Sequence, residues 1–116
     1  MQRDAPLQVD VREGSSAGTR VVSMTGPITL PNVFAFQDAL RAGEPPRVCI
    51  LDLSHVPYMD SAGMGAVINY FTHCRRNNIR MVVAGVSSRV GELFKMTGVD
   101  SVIPMTDSIG EAEELV

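Results

Sequence analysis

The sequence predicts an α/β domain: a mixed sheet of about five strands, with an N-terminal hairpin and a parallel centre, and about four helices packed on it. Three observations lead there. Leu7, Val9 and Val11 alternate with Gln8, Asp10 and Arg12, the period of a half-buried strand, and a glycine- and serine-rich turn follows. Two almost continuously apolar runs, Val48-Cys49-Ile50-Leu51-Asp52-Leu53 and Met81-Val82-Val83-Ala84, suit strands covered on both faces. Helical stripes lie between and after these runs, so strands alternate with helices and the central strands run parallel.

In chain order, residues 7–12 form the first strand, and Gly14-Ser15-Ser16-Ala17-Gly18 turns the chain into a second over residues 20–25. Gly26-Pro27 breaks it. A helix begins at about Asn32 with Pro31 in its first turn, where a missing N–H does no harm. Val33, Phe36 and Leu40 mark its buried stripe, and Gly43 with Pro45-Pro46 ends it. The central strand covers residues 48–53, and residues 54–60 are a loop. The next helix spans residues 61–76, with Met64, Val67, Ile68, Phe71 and Cys74 as its apolar stripe, and Asn77-Asn78 stops it. A buried strand follows over residues 80–86. Val90, Leu93 and Phe94 place a short helix on the sheet, with Gly98 at its C-terminal end. Residues 102–105 are a short last strand. Ser108 and Glu111 have capping-box spacing, and Ile109, Ala112 and Leu115 give the final helix its stripe. The order β-β-α-β-α-β-α-β-α fits one domain over residues 1–116, with no repeat or linker.

A chain of 116 residues, 45% of them apolar, builds one core without disulfide or metal staples. Its net charge is −3 and its only basic doublet is Arg75-Arg76, which argues against nucleic-acid binding. No apolar stretch approaches the roughly 20 residues of a membrane span. Residues 1–6 are polar and lack the apolar segment of a signal peptide, so a cytoplasmic protein is expected. Cys49 and Cys74 read as buried thiols. His55 and His73 have no Cys or carboxylate at metal spacing, so no metal site and no cofactor is expected. Glu111, Glu113 and Glu114 make a solvated face of the last helix.

The chemistry concentrates in Met59-Asp60-Ser61-Ala62-Gly63-Met64-Gly65, between a buried strand and a helix. Asp60 or Ser61 can cap the helix by accepting from a free N–H of its first turn, worth about 1 kcal/mol. A serine nucleophile fits poorly: Met59 stands where G-x-S-x-G needs its first glycine, and no base and orienter accompany it. Gly63-x-Gly65 lacks the third glycine of a dinucleotide fingerprint and the Lys of a P-loop. The two glycines either permit tight helix–strand packing or let another molecule approach the backbone. A phosphate on Ser61 would be tolerated by the helix N-terminus and opposed by Asp60. It would reverse the character of the local surface without reshaping the core.

The run Ser54-His55-Val56-Pro57-Tyr58-Met59-Asp60-Ser61-Ala62-Gly63-Met64-Gly65 resembles the STAS domain family, and within it the bacterial anti-sigma factor antagonists. The resemblance extends over nearly the whole chain through the βα order, Gly26 after the second strand and the Leu51-Asp52-Leu53 strand. It implies a STAS-like mixed sheet and a partner-switching function. Ser61 would be phosphorylated by a serine protein kinase of histidine-kinase-like ATPase fold that is also the anti-sigma factor. The unphosphorylated chain would bind that kinase and free the sigma factor, and a PP2C-type phosphatase would restore the complex. Family members often carry a second hydroxyl after the acceptor; Ala62 removes that ambiguity here. Asp60 would serve kinase recognition. Ala62, Gly63 and Met64, with Thr29 and Asn32 from the loop after the second strand, would border the docking surface. The chain departs from the family's pattern at Gly26-Pro27-Ile28-Thr29-Leu30, which lacks the acidic residue common there. The alternative is a STAS interaction module without phosphorylation control, in a stressosome-like scaffold or as a transporter accessory subunit. The lack of a long N-terminal extension and of a membrane segment argues against it. No catalytic pair is visible, so an enzyme is not expected.

Overall fold

The computed structural model describes residues 7–116. Residues 1–6, expected to be a polar segment without a leader, lie outside the described residues. The elements run β1 (Gln8–Glu13), β2 (Thr19–Thr25), α1 (Val33–Arg41), β3 (Val48–His55), α2 (Ser61–Arg76), β4 (Arg80–Val86), α3 (Ser88–Thr97), a 3-10 turn (Val99–Ser101), β5 (Met105–Thr106) and α4 (Ile109–Leu115). They form one five-stranded sheet in the order β1-β2-β3-β4-β5. The β1–β2 pair is antiparallel, and β2–β3, β3–β4 and β4–β5 are parallel.

Alternation along the strands builds two cores. Val22, Met24, Cys49, Leu51, Leu53, Met81 and Val83 point to one face, where they meet Val33, Phe36 and Leu40 of α1, Val67 and Tyr70 of α2 and Phe94 of α3. Val21, Ile50, Val82 and Ala84 point to the other face, which Ala112 of α4 covers with Ile109 and Val116. A period of two on strands and of 3.6 on helices is what places these sets.

The structure corrects several expectations. Pro31 stands before the N-cap Asn32, outside the helix. The Asn32 side chain caps nothing: its Oδ1 accepts from the Thr29 N–H at 2.8 Å and its Nδ2 donates to the Pro27 carbonyl at 2.7 Å. The central strand continues through His55, because its pairing with Thr25 extends the ladder. The buried face of α2 includes Tyr70 and leaves out Ile68, which is exposed. That face is centred on Gly63, Val67, Tyr70 and Cys74, and Phe71 lies on its flank. The last strand is Met105–Thr106 rather than residues 102–105; Val102 is exposed after the 3-10 turn, and Ile103 is buried. Leu115 is largely exposed, and Val116 packs against the smaller core in its place. At α4, Ser108 Oγ accepts from the Glu111 N–H at 3.1 Å, whereas Glu111 Oε2 reaches back to the Asp107 N–H at 3.0 Å.

Candidate functional site: the first turn of α2

The loop after β2 and the loop after β3 run side by side at one end of the sheet. Gly26 N donates to the His55 carbonyl at 3.1 Å, Ile28 N to the Tyr58 carbonyl at 3.2 Å, and Asp60 N to the Ile28 carbonyl at 3.3 Å. Ile28 and Met59 form an isolated parallel bridge, so the sheet pattern continues past the strand ends. On this platform Asp60 is the N-cap of α2. Its Oδ1 accepts from the Gly63 N–H at 3.0 Å and its Oδ2 from the Leu30 N–H at 3.0 Å. One carboxylate thus caps the helix and ties down the neighbouring loop. The Gly63 N–H first, then the Leu30 N–H, hold its carboxyl below the usual carboxylate range.

With the cap supplied by Asp60, the Ser61 hydroxyl is left exposed as the first helical residue. Ala62 is half-buried beside it. Gly63 and Met64 are buried, as is Thr29 in the facing loop, while Asn32 is half-buried. The structure therefore brings Asp60, Ser61, Ala62, Gly63 and Met64 together with the loop that carries Thr29 and Asn32. Thr29, Gly63 and Met64 lie beneath the surface that the others form. Thr29 Oγ1 is buried without a hydrogen-bond partner.

The two glycines of the turn have different roles. A Cβ on Gly63 would lie 2.3 Å from the Ile28 carbonyl oxygen, so that position is closed by the loop. A Cβ on Gly65 would meet nothing within 4 Å.

Sequence reasoning missed the apolar surface next to the turn. Leu30 is 63% exposed and Phe34 69% exposed, four residues apart, and Leu30 is joined to Asp60 by its N–H. Phe34 falls one position off the Val33, Phe36, Leu40 stripe, and that offset was the available signal. On the α3 side, Arg89 lies over the Tyr58 ring at 5.2 Å, at a hollow also lined by Met59 and by Met96, which is 84% exposed. The Ser87 hydroxyl joins α3 to this loop by donating to the Val56 carbonyl at 2.7 Å.

Neither histidine hydrogen-bonds to Ser61. The His55 Nδ1 has the Ser54 hydroxyl at 3.2 Å. His73 stacks on Tyr70, twelve residues along α2 from Ser61, roughly 18 Å by helical rise. Among the described residues, no group of three or more His, Cys, Asp or Glu is placed to hold a metal, and no helix is long and apolar enough to cross a membrane. Cys49 and Cys74 are both buried and unbridged. Burial pushes the Cys49 thiol up to about 11 and raises Cys74 as well.

Fold and site together define a class: a small α/β domain of one hairpin and three βα units, with an exposed serine opening the helix after its central strand. The family model described as "STAS domain" matches residues 8–112, and the chain belongs to the STAS domain family. Over 61 residues it is 36% identical to the anti-sigma-B factor antagonist of Listeria monocytogenes, covering 53% of this chain and 54% of that protein. Over 61 residues it is 32% identical to the anti-sigma-B factor antagonist of Staphylococcus aureus, covering 53% and 56%. These alignments span about half the length of the curated relatives. Among solved structures, an anti-sigma factor antagonist from Mycobacterium paratuberculosis superposes with a TM-score of 0.86 at 21% identity, covering 95% of this chain and 93% of that one. A sulfate transporter family protein from Wolinella succinogenes superposes with a TM-score of 0.76 at 23% identity, covering 86% and 85%. At these identities the superpositions establish the shared fold.

Proposed function

We propose that this chain is an anti-sigma factor antagonist controlled by phosphorylation of Ser61. Unphosphorylated, it binds a serine-kinase anti-sigma factor of histidine-kinase-like ATPase fold and frees the sigma factor. Phosphorylated, it lets that partner go, and a PP2C-type phosphatase resets it. The observation that carries this reading is the division of labour at the turn: Asp60 takes the cap, leaving the Ser61 hydroxyl exposed. The similarity to anti-sigma-B factor antagonists supports the same class of partner.

The electrostatics of the turn give the switch its direction. A phosphoserine brings nearly two negative charges beside the Asp60 carboxylate, which is itself held in its ionised form. The N-terminus of α2 lowers the cost of that charge to the fold. A partner packed on Ala62, Leu30 and Phe34 meets a desolvated charge instead of a hydroxyl, and an unpaired buried charge is expensive. The core beneath does not need to move.

The test has two parts. The intact mass of the chain purified from its own cells, with peptide mapping, should show phosphate on Ser61 in a growth-dependent fraction. Binding to a histidine-kinase-like ATPase should persist in Ser61→Ala and be lost in Ser61→Asp. Equal binding by both variants, with no phosphate under any condition, overturns the switch and favours an interaction module without phosphorylation control.

A further inference from the structure

The exposed face of α2 runs on from Ser61 through Gly65 and Ile68 to Thr72, at positions i, i+4, i+7 and i+11, and ends at Arg75 and Arg76. Beside its second half lies an open groove. Two adjoining hollows, of about 140 and about 390 Å³, share Ile68, Phe71 and Val102 as lining residues. The first reaches Val99 and Ile103 at the 3-10 turn, and the second reaches Arg75 and Arg76. Ile68 is 40% exposed and Val102 56% exposed. The larger core does not need either side chain, since Val67, Tyr70 and Cys74 already form the buried face of α2.

The charge around the groove is one-sided. The guanidinium of Arg75 lies 5.9 Å from the centre of the Phe71 ring, so a cation stands directly over the apolar lining. Among the described residues neither Arg75 nor Arg76 has a carboxylate partner. Arg75 and Arg76 are the charged residues that line the two hollows, and Asp100, the one carboxylate of the 3-10 turn, lies outside both linings. Gly65 adds a second, independent feature. It is an exposed helix-interior glycine with open space where its Cβ would stand, so nothing within the fold calls for it. Another backbone can therefore come close to α2 just above the groove.

The geometry points to a docking site for an acidic amphipathic helix of a partner protein. Its apolar side chains, spaced i, i+4, i+7, would enter the hollows at Ile68, Phe71 and Val102. Its backbone would pass Gly65, and its carboxylates would meet Arg75 and Arg76. This is helix-in-groove recognition with the charge pattern setting the orientation. It is separate from the Ser61 switch, although both lie on one helix face.

The test uses the whole chain carrying Ser61→Ala, so phosphorylation has no bearing on it. The probe is a fluorescein-labelled synthetic peptide of roughly four helical turns, with leucines at i, i+4, i+7 and i+11 and glutamates between them. A scrambled peptide of the same composition, with its leucines spread around the helix, is the control. The expected result is saturable binding with amide shifts centred on Ile68, Phe71 and Val102. Affinity should fall about tenfold or more for the scrambled peptide and for Arg75→Glu with Arg76→Glu. Val102→Ser, at an exposed site, should weaken binding without lowering Tm, and it decides the matter should the arginine variant fold poorly. No binding, shifts elsewhere on the domain, or equal binding of the scrambled peptide overturns the proposal. So does association of the chain with itself, or with vesicles of anionic phospholipid, through these same residues in preference to the peptide.

Discussion

Gly63→Ala and Gly65→Ala add the same methyl group two residues apart on α2, and they should shift stability in opposite directions. At Gly63 the new Cβ would stand 2.3 Å from the Ile28 carbonyl oxygen and 3.0 Å from the Met59 Cβ. Relief requires the Ile28 peptide to retreat by roughly 1 Å to reach an ordinary contact. That carbonyl accepts from the Asp60 N–H at 3.3 Å, and the N–H of the next peptide, that of Leu30, is held by Asp60 Oδ2 at 3.0 Å, so the retreat pulls on both bonds. Overpacking of this kind costs about 1–3 kcal/mol. Weakening a hydrogen bond adds about 1 kcal/mol. Alanine's better helix propensity returns up to about 1 kcal/mol. The net expectation for Gly63→Ala is a loss of about 1–3 kcal/mol. At Gly65 only the propensity term remains, so Gly65→Ala should gain about 0.5–1 kcal/mol. In a domain of this size each kcal/mol moves Tm by roughly 3–6 °C. Urea unfolding followed by far-UV circular dichroism, with thermal scans alongside, measures both. A Gly63→Ala chain as stable as the parent would refute the reading of the loop as a rigid wall. A destabilised Gly65→Ala chain would show that the exposed face of α2 is not open.

Three further outcomes follow from the same geometry. Asp60 has a carboxyl pKa below its unfolded value, so its charge stabilises the fold above the ordinary carboxylate range, and the contribution is lost as pH falls through the folded value. The stability difference between the parent and Asp60→Asn, measured by urea titration, should therefore be largest near neutrality and shrink below about pH 4. Tyr70 carries a buried hydroxyl without a hydrogen-bond partner beside weakly accepting thiols, so Tyr70→Phe should leave stability unchanged or raise it by up to about 1 kcal/mol. A clear loss would mean that the thiols of Cys49 and Cys74 satisfy it after all. Both thiols are buried with raised pKa, so a thiol reagent at neutral pH should label them only at the rate at which the native chain opens. Rapid labelling without denaturant would contradict that burial.

The order of elements and the bounds of α2 were legible in the sequence because several local signals agree there. Asp60 supplies a cap, the apolar spacing is helical, and Asn77-Asn78 supplies a stop, with Asn78 at φ 56°. Details decided by tertiary contact were less legible. Ile68 and Tyr70 are both apolar enough to fill a stripe, and only packing against the sheet selects Tyr70. Asn32 looks like a helix start, but its amide bridges Pro27 and Thr29 within the loop, which moves Pro31 outside the helix. The short β5 pairs only Val83 with Met105 and Ala84 with Thr106, too little for a periodic signal. At the site, Asp60 and Ser61 stood out from sequence, but the bond from Leu30 to Asp60 joins residues thirty apart, and no local pattern announces it. That bond places Leu30 beside the switch.

The strands lie across the sheet in the order in which they are made, so each parallel strand can add to one already in place as the chain leaves the ribosome. The two faces do not mature together, however. Three helices close the larger core as synthesis proceeds, while Val21, Ile50, Val82 and Ala84 wait for α4. Until Ala112 emerges, a growing chain with its other core assembled carries a bare strip of aliphatic sheet. That interval is when a nascent chain is most exposed to capture by chaperones or by its neighbours on the same message.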